Sequence, residues 1–155
     1  MKLPKRDMLL LCQLRNNSRE PLTKMSKQTR IPVSTLYDRL KHFEENKLIE
    51  RHTSIINFAA FGYKVRVNIM LKVSSSQRDA LKKYLQNHEN VNNLYKINNG
   101  FDFLFEAVFK SIEEAEEFID NLEEQFEFKR IDVHYITSDI KREGFLSSKE
   151  LISLL

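Results

Sequence analysis

The chain has 155 residues, 41% of them hydrophobic, with eleven Phe, no Trp and a net charge of +3. That length holds one domain or two small ones, and this much apolar side chain favours packed cores over disorder. The longest apolar runs, such as residues 8–12, are too short to cross a bilayer, and a single Cys12 excludes an internal disulfide framework and metal-binding Cys pairs. The start of the chain lacks a small-residue cleavage site and runs directly into a helical pattern, which is read as no signal peptide and a cytoplasmic protein. Charge is unevenly spread: residues 1–60 hold 12 Lys/Arg against 6 Asp/Glu, and residues 61–155 hold 13 against 16. The basic first part has an electrostatic reason to meet a polyanion; the remainder has none.

In chain order, residues 7–14 predict a first helix, with Leu10, Leu11 and Leu14 on one face and Asp7 or Met8 one turn earlier. Asn16-Asn17-Ser18 ends it. Pro21 opens a short second helix through Leu22, Met25 and Ser26 to about Thr29, and Arg30-Ile31-Pro32 is the turn that follows. Leu36, Leu40, Phe43 and then Leu48 recur at helical spacing, with Val33 one turn before. The opposite face carries Ser34, Thr35, Asp38, Arg39, Lys41 and His42. Asn46-Lys47 stops this third helix, and Leu48-Ile49 opens an extended run to Ile55-Ile56. Three short helices followed by an extended segment are the order of a winged helix-turn-helix.

A new pattern begins after Gly62. Residues 63–73 alternate, with Val65, Val67, Ile69 and Leu71 on one face of a strand. Ser76 and Asp79 approximate a capping box for a helix bearing Leu81, Tyr84, Leu85 and His88. Residues 91–97 and 103–109 predict two strands joined by an Asn98-Asn99-Gly100 hairpin turn. Ser111-Ile112-Glu113-Glu114 is a capping box opening a helix with Ala115, Phe118, Ile119, Leu122 and Phe126 on its inner face and a run of carboxylates outside. Residues 128–137 form a last strand, and residues 147–155 a short terminal helix. The expected class is therefore α+β: a winged helix-turn-helix over residues 1–52, a linker strand and hinge over 53–62, and a ferredoxin-like βαββαβ domain with its tail over 63–155.

With both halves in view, the chain resembles the Lrp/AsnC (leucine-responsive, feast/famine) family of transcription regulators. The resemblance rests on Asp7, Leu10-Leu11, Leu14, Arg19, Met25-Ser26, Ser34-Thr35, Arg39-Leu40, Phe43-Glu44, Leu48-Ile49, Asn57 and Gly62, and on Gly100-Phe101-Asp102 between two strands. It implies a DNA-binding domain followed by a sensing and oligomerisation domain, dimers built through the C-terminal sheet and assembled into tetramers or octamers, and an amino-acid effector. Three positions depart from the family pattern. Arg30 replaces a turn glycine, Pro32 replaces the serine cap of the third helix, and Asn99-Gly100 stands where the effector loop carries Gly-Asp. Asp102 matches a second acidic position of that loop. The resemblance assigns the effector to Asn99, Gly100, Phe101, Asp102 and Thr137.

The expected partner is double-stranded DNA, with the third helix in the major groove. Ser34, Thr35, Tyr37 and Asp38 lie nearest base edges, while Arg39, Lys41, Lys24, Lys27 and Arg51 sit near phosphates. An ion pair from Arg39 to Glu44 or Glu45, and partial burial of Tyr37, are the competing structural roles. No catalytic residue, cofactor or metal site is expected. Two other readings stay open: a DNA-compacting protein without an effector, and an enzyme like the sirohaem decarboxylases, which resemble the same two-domain family. The latter would use His88 and His134 with Lys96 or Arg130.

Overall fold

A computed structural model of the protein describes residues 3–148. Contacts divide the described residues into two compact units, one of residues 3–55 with 140–148, the other of residues 56–139.

The first unit holds α1 (Lys5–Asn16), α2 (Leu22–Thr29) and α3 (Val33–Glu45). All three prolines of the chain are helix N-caps: Pro4, Pro21 and Pro32, each extended and without a side-chain capping bond. Proline has no N–H to orphan there, and its carbonyl starts the helix. The Met8, Met25 and Leu36 N–H groups donate to those three carbonyls at 3.1, 3.0 and 3.0 Å. Between α2 and α3 the chain turns through Arg30, which adopts the left-handed conformation (φ 58°, ψ 31°) and donates its N–H to the Ser26 carbonyl at 2.8 Å. A side chain in that conformation costs about 1 kcal/mol relative to glycine. Lys47 repeats the device after α3, with φ 57°.

Leu10 of α1, Met25 of α2, Ile31 of the turn, and Leu36 and Phe43 of α3 form one buried cluster, with Leu11, Leu14, Leu22 and Ile49 at its edge. Val33 and Leu48, at the ends of the expected stripe, remain 39% exposed because the stripe outruns the two helices it packs on. The extended run expected over residues 48–56, including the linker strand, forms no ladder; residues 50–57 belong to neither helix nor strand. Strand geometry needs a neighbour to pair with, and none of the described residues supplies one. The segment then forms a 3-10 turn, Phe58–Phe61, closed by Gly62 at φ 101°.

The second unit is a sheet with two helices on one face. Its elements are β1 (Val65–Val73), α4 (Arg78–Asn87), β2 (Val91–Lys96), β3 (Phe103–Phe109), α5 (Ile112–Gln125) and β4 (Phe128–Tyr135). The strand order is β2-β3-β1-β4, antiparallel throughout, with Ile69 opposite Phe105 on one side and Val133 on the other. That is the ferredoxin-like layout. Val67, Ile69, Leu71, Val73, Phe103, Phe105, Ala107 and Phe109 meet Leu81, Leu85, Ala115, Phe118, Ile119 and Leu122 in one core. Asn99 and Gly100, at φ 60° and 93°, make the expected hairpin turn, and the Ile97 N–H donates to Asp102 O at 3.0 Å.

Capping divides the two helices. The Glu114 N–H donates to Ser111 Oγ at 3.3 Å, while the Glu114 carboxylate reaches back to the Lys110 N–H at 2.9 Å. The Ser76–Asp79 box expected for α4 does not form: a 3-10 turn over Ser75–Gln77 carries the chain straight into the helix, and Gln77 precedes it in a helical conformation. The tail expected with the sheet domain departs from it. Arg15 of α1 binds Glu143 Oε2 at 2.9 Å and donates Nε–H to the Phe145 carbonyl at 3.1 Å, so this stretch packs in the first unit. The terminal helix expected over residues 147–155 lies almost wholly outside the described residues.

Two measurements check this packing. Leu36→Ala should lower the stability of the three-helix unit by about 2–5 kcal/mol in denaturant unfolding, the range for emptying a filled core site. Ser111→Ala should cost about 1 kcal/mol, read on the sheet unit, through loss of the cap.

Candidate functional site

Burial of Leu36 and Phe43, seven residues apart, fixes the rotation of α3. Ser34, Tyr37, Asp38 and Lys41 then fall on one outward stripe at helical spacing, flanked by Thr35 and Arg39, and all six are exposed. Tyr37 is 60% exposed, so the competing role of partial burial does not hold.

The cations around this face divide into two groups. Arg39 reaches Asp7 of α1 at 3.6 Å, not Glu44 or Glu45. Asp7 is only 5% exposed, and its place in the apolar stripe of α1 was the sequence signal for a buried partner. Glu45 instead faces Lys41 at 3.8 Å, Glu44 faces His52 at 2.9 Å, and Lys24 pairs with Glu20 at 2.6 Å. Lys27, in the last turn of α2, and Arg51 are exposed and, among the described residues, join no ion pair.

The second cluster surrounds the hairpin. Asn99 and Gly100 are exposed at its tip, and Phe101 is buried beneath the Arg130 guanidinium, 4.4 Å from the ring centroid. Asp102 is buried and fully engaged: Lys72 Nζ lies at 3.1 Å, Arg78 Nε at 3.0 Å, and the Val73 N–H donates to its other oxygen at 3.1 Å. Burial pushes this carboxyl upward, but the Val73 N–H and the two cations outweigh burial and hold it below its ordinary value of 3.8. Thr137 is not brought to this loop within one chain. Asp102 meets Leu71 and Val73, whereas the Ile136 N–H donates to Arg66 at the other end of β1. Five residues of strand separate those points, roughly 17 Å.

The enzyme candidates do not converge. His88 caps the end of α4 in an open groove of about 300 Å³, with its ring 4.7 Å from Phe118 and 5.5 Å from Tyr84. Desolvation there pushes its pKa down against the opposing charge of Glu89. His134 is exposed on β4 opposite Asn68, on the face without helices. Lys96 ends β2, and Arg130 pairs with Asp132 at 2.9 Å. Among the described residues no group of three His, Cys, Asp or Glu could hold a metal, and no helix is long and apolar enough to cross a membrane.

A helix-turn-helix unit that turns one polar helix face outward, followed by a βαββαβ layer with a polar hairpin, defines a two-domain regulator. Residues 66–146 match the Lrp/AsnC ligand binding domain family, and the chain belongs to that family. It is 28% identical over 107 residues to the HTH-type transcriptional regulator FL11 of Pyrococcus abyssi, covering 69% of this chain and 71% of that one. Among solved structures, B. subtilis LrpC superposes with a TM-score of 0.82 at 20% identity, covering 91% of this chain and 99% of that one. A transcriptional regulator of Neisseria meningitidis, solved as its L-Met complex, superposes at 0.84 with 16% identity, covering 91% and 94%. At that identity the superpositions establish the shared fold.

Because the folded Asp102 titrates below 3.8, its stabilising effect is fully present above that pH and is lost as pH falls through the lower folded value. Asp102→Asn should therefore lower the thermal midpoint of the sheet unit near pH 7, and the gap from the parent should narrow below about pH 4.

Proposed function

We propose that this regulator binds duplex DNA in a sequence-specific way through α3, as a homodimer that assembles further into tetramers or octamers, and that it acts in transcription rather than catalysis. The observation that carries the reading is the outward stripe of α3, fully polar or aromatic and uncovered among the described residues. Hydroxyls at Ser34 and Thr35 can donate to or accept from base edges, Tyr37 can pack on a thymine methyl, and Asp38 can accept from cytosine. The excess of cations in residues 1–60 supplies the sequence-independent attraction to phosphate. Lys27 and Arg51 are better placed for that role than Lys24 and Lys41, whose charges are partly answered by Glu20 and Glu45.

The helix-free face of the sheet supports the dimer. Arg66, Asn68, Met70 and Leu104 are half-buried on it, a surface suited to an isologous partner. The family and the L-Met complex of the Neisseria protein support an amino-acid effector, which this reading assigns to the loop of Asn99, Gly100, Phe101 and Asp102. Thr137 joins that site from a second subunit, since one chain keeps it a strand length away. The commitment of Asp102 to Lys72 and Arg78 favours, as the second reading, a protein that organises DNA without an amino-acid signal.

Selection of bound duplexes from a random pool tests the main reading. It should return a pseudo-palindrome with half-sites about 34 Å apart or a multiple of that. Affinity should fall steeply with salt, and Tyr37→Ala should relax preference within the half-site. Recovery of unrelated sequences with no symmetry counts against it. Particle size measured with and without a panel of amino acids separates the sensing protein from the silent one.

A further inference from the structure

The turn between α2 and α3 places a long cation where backbone geometry favours glycine. Arg30 sits at φ 58°, and its main chain is occupied in closing α2 onto the Ser26 carbonyl. Its side chain is exposed and, among the described residues, has neither an ion pair nor a hydrogen bond. The helix-closing bond offsets part of the cost of that backbone conformation, but nothing among the described residues holds the guanidinium, which leaves it free to meet a group outside the fold. Its place is defined by its neighbours. Ile31 is buried in the three-helix core and Pro32 caps α3, so Arg30 is anchored within two residues of the helix end that carries Ser34 and Thr35.

We propose that Arg30 is a phosphate contact of the DNA-binding surface, held at the groove edge by the left-handed turn between α2 and α3. This rests on the reading of α3 as the groove-entering helix. If the N-terminal end of that helix meets base edges, the turn before it stands beside the sugar-phosphate rail. Arg30 is exposed in that left-handed bend, while Ile31 beside it enters the core. A guanidinium there fits phosphate in two-pronged geometry and is always charged. The contact carries no base information and sets register.

Arg30→Gly makes strain and function move in opposite directions. The variant should melt at the same temperature as the parent or a few degrees higher. On the selected duplex its affinity should drop about 5- to 10-fold, equally for cognate and scrambled sequences. The slope of log affinity against log salt should shrink by about one phosphate contact. Arg30→Lys should retain most of that slope. Lys47→Gly is the control, because Lys47 holds the same left-handed conformation at the opposite end of α3. Its affinity should stay within about twofold of the parent. Parental affinity and slope in Arg30→Gly, on a duplex that the parent binds in a salt-dependent way, overturn this assignment while leaving the DNA reading intact. An equal loss in Lys47→Gly also overturns it, since the effect is then of net charge and not of place. A parent chain that binds no duplex at any salt removes the reading of α3 and this assignment together.

Discussion

The packing of Leu36 and Phe43 against Leu10 and Met25 decides what the first unit can do. Burying each such side chain contributes about 1.5–3 kcal/mol, and both lie on one stripe of α3. The helix therefore cannot rotate without exposing them. Every residue on the far side is consequently turned outward, whatever its own preference. Tyr37 illustrates the point: a large aromatic remains 60% exposed because the core-facing positions are taken. The polar face is a consequence of apolar burial on the other side, and its orientation is as firm as the core beneath it.

The second unit obeys the same logic with a different period. Alternation along β1 sends Val67, Ile69, Leu71 and Val73 toward α4 and α5, and sends Asn68, Met70 and Lys72 to the face without helices. At one end of that sheet, Asp102 draws the hairpin, β1 and the start of α4 together through Val73, Lys72 and Arg78. A carboxylate so engaged is a brace for the loop it adjoins. The tip of the hairpin, Asn99-Gly100, is left to geometry alone, since both residues sit in the left-handed region.

Periodicity made most of the fold legible. The strands at residues 91–97 and 103–109, the Ser111 cap and the α3 stripe could all be read because each depends on neighbours within a few residues. What could not be read depended on groups far apart in the chain. The partner of Arg39 is Asp7, 32 positions away, while Glu44 and Glu45 lay close in sequence and were the natural guess. The tail joins α1 through Arg15 and Glu143, a pairing that no local pattern announces. The expected strand over residues 48–56 failed for the complementary reason: extended propensity was present, but a ladder also needs a second edge. Thr137 was grouped with the hairpin loop by resemblance, and only strand register revealed the length of β1 between them.

Because β1 is flanked by β3 and β4, the sheet is incomplete until its last strand has been made. The apolar cluster of the three helices draws all its residues from the chain up to Ile49, and the tail is added to α1 only later through Arg15. On the ribosome, the two units therefore mature at different moments. The N-terminal helices can close while β1 still lacks both neighbours and leaves Val67, Ile69 and Leu71 in water. The interval between residues 73 and 128 is the period in which the nascent chain is most open to misassociation. The carboxylate-rich outer face of α5, made just before β4, adds like-charge repulsion between neighbouring nascent chains at the close of that interval.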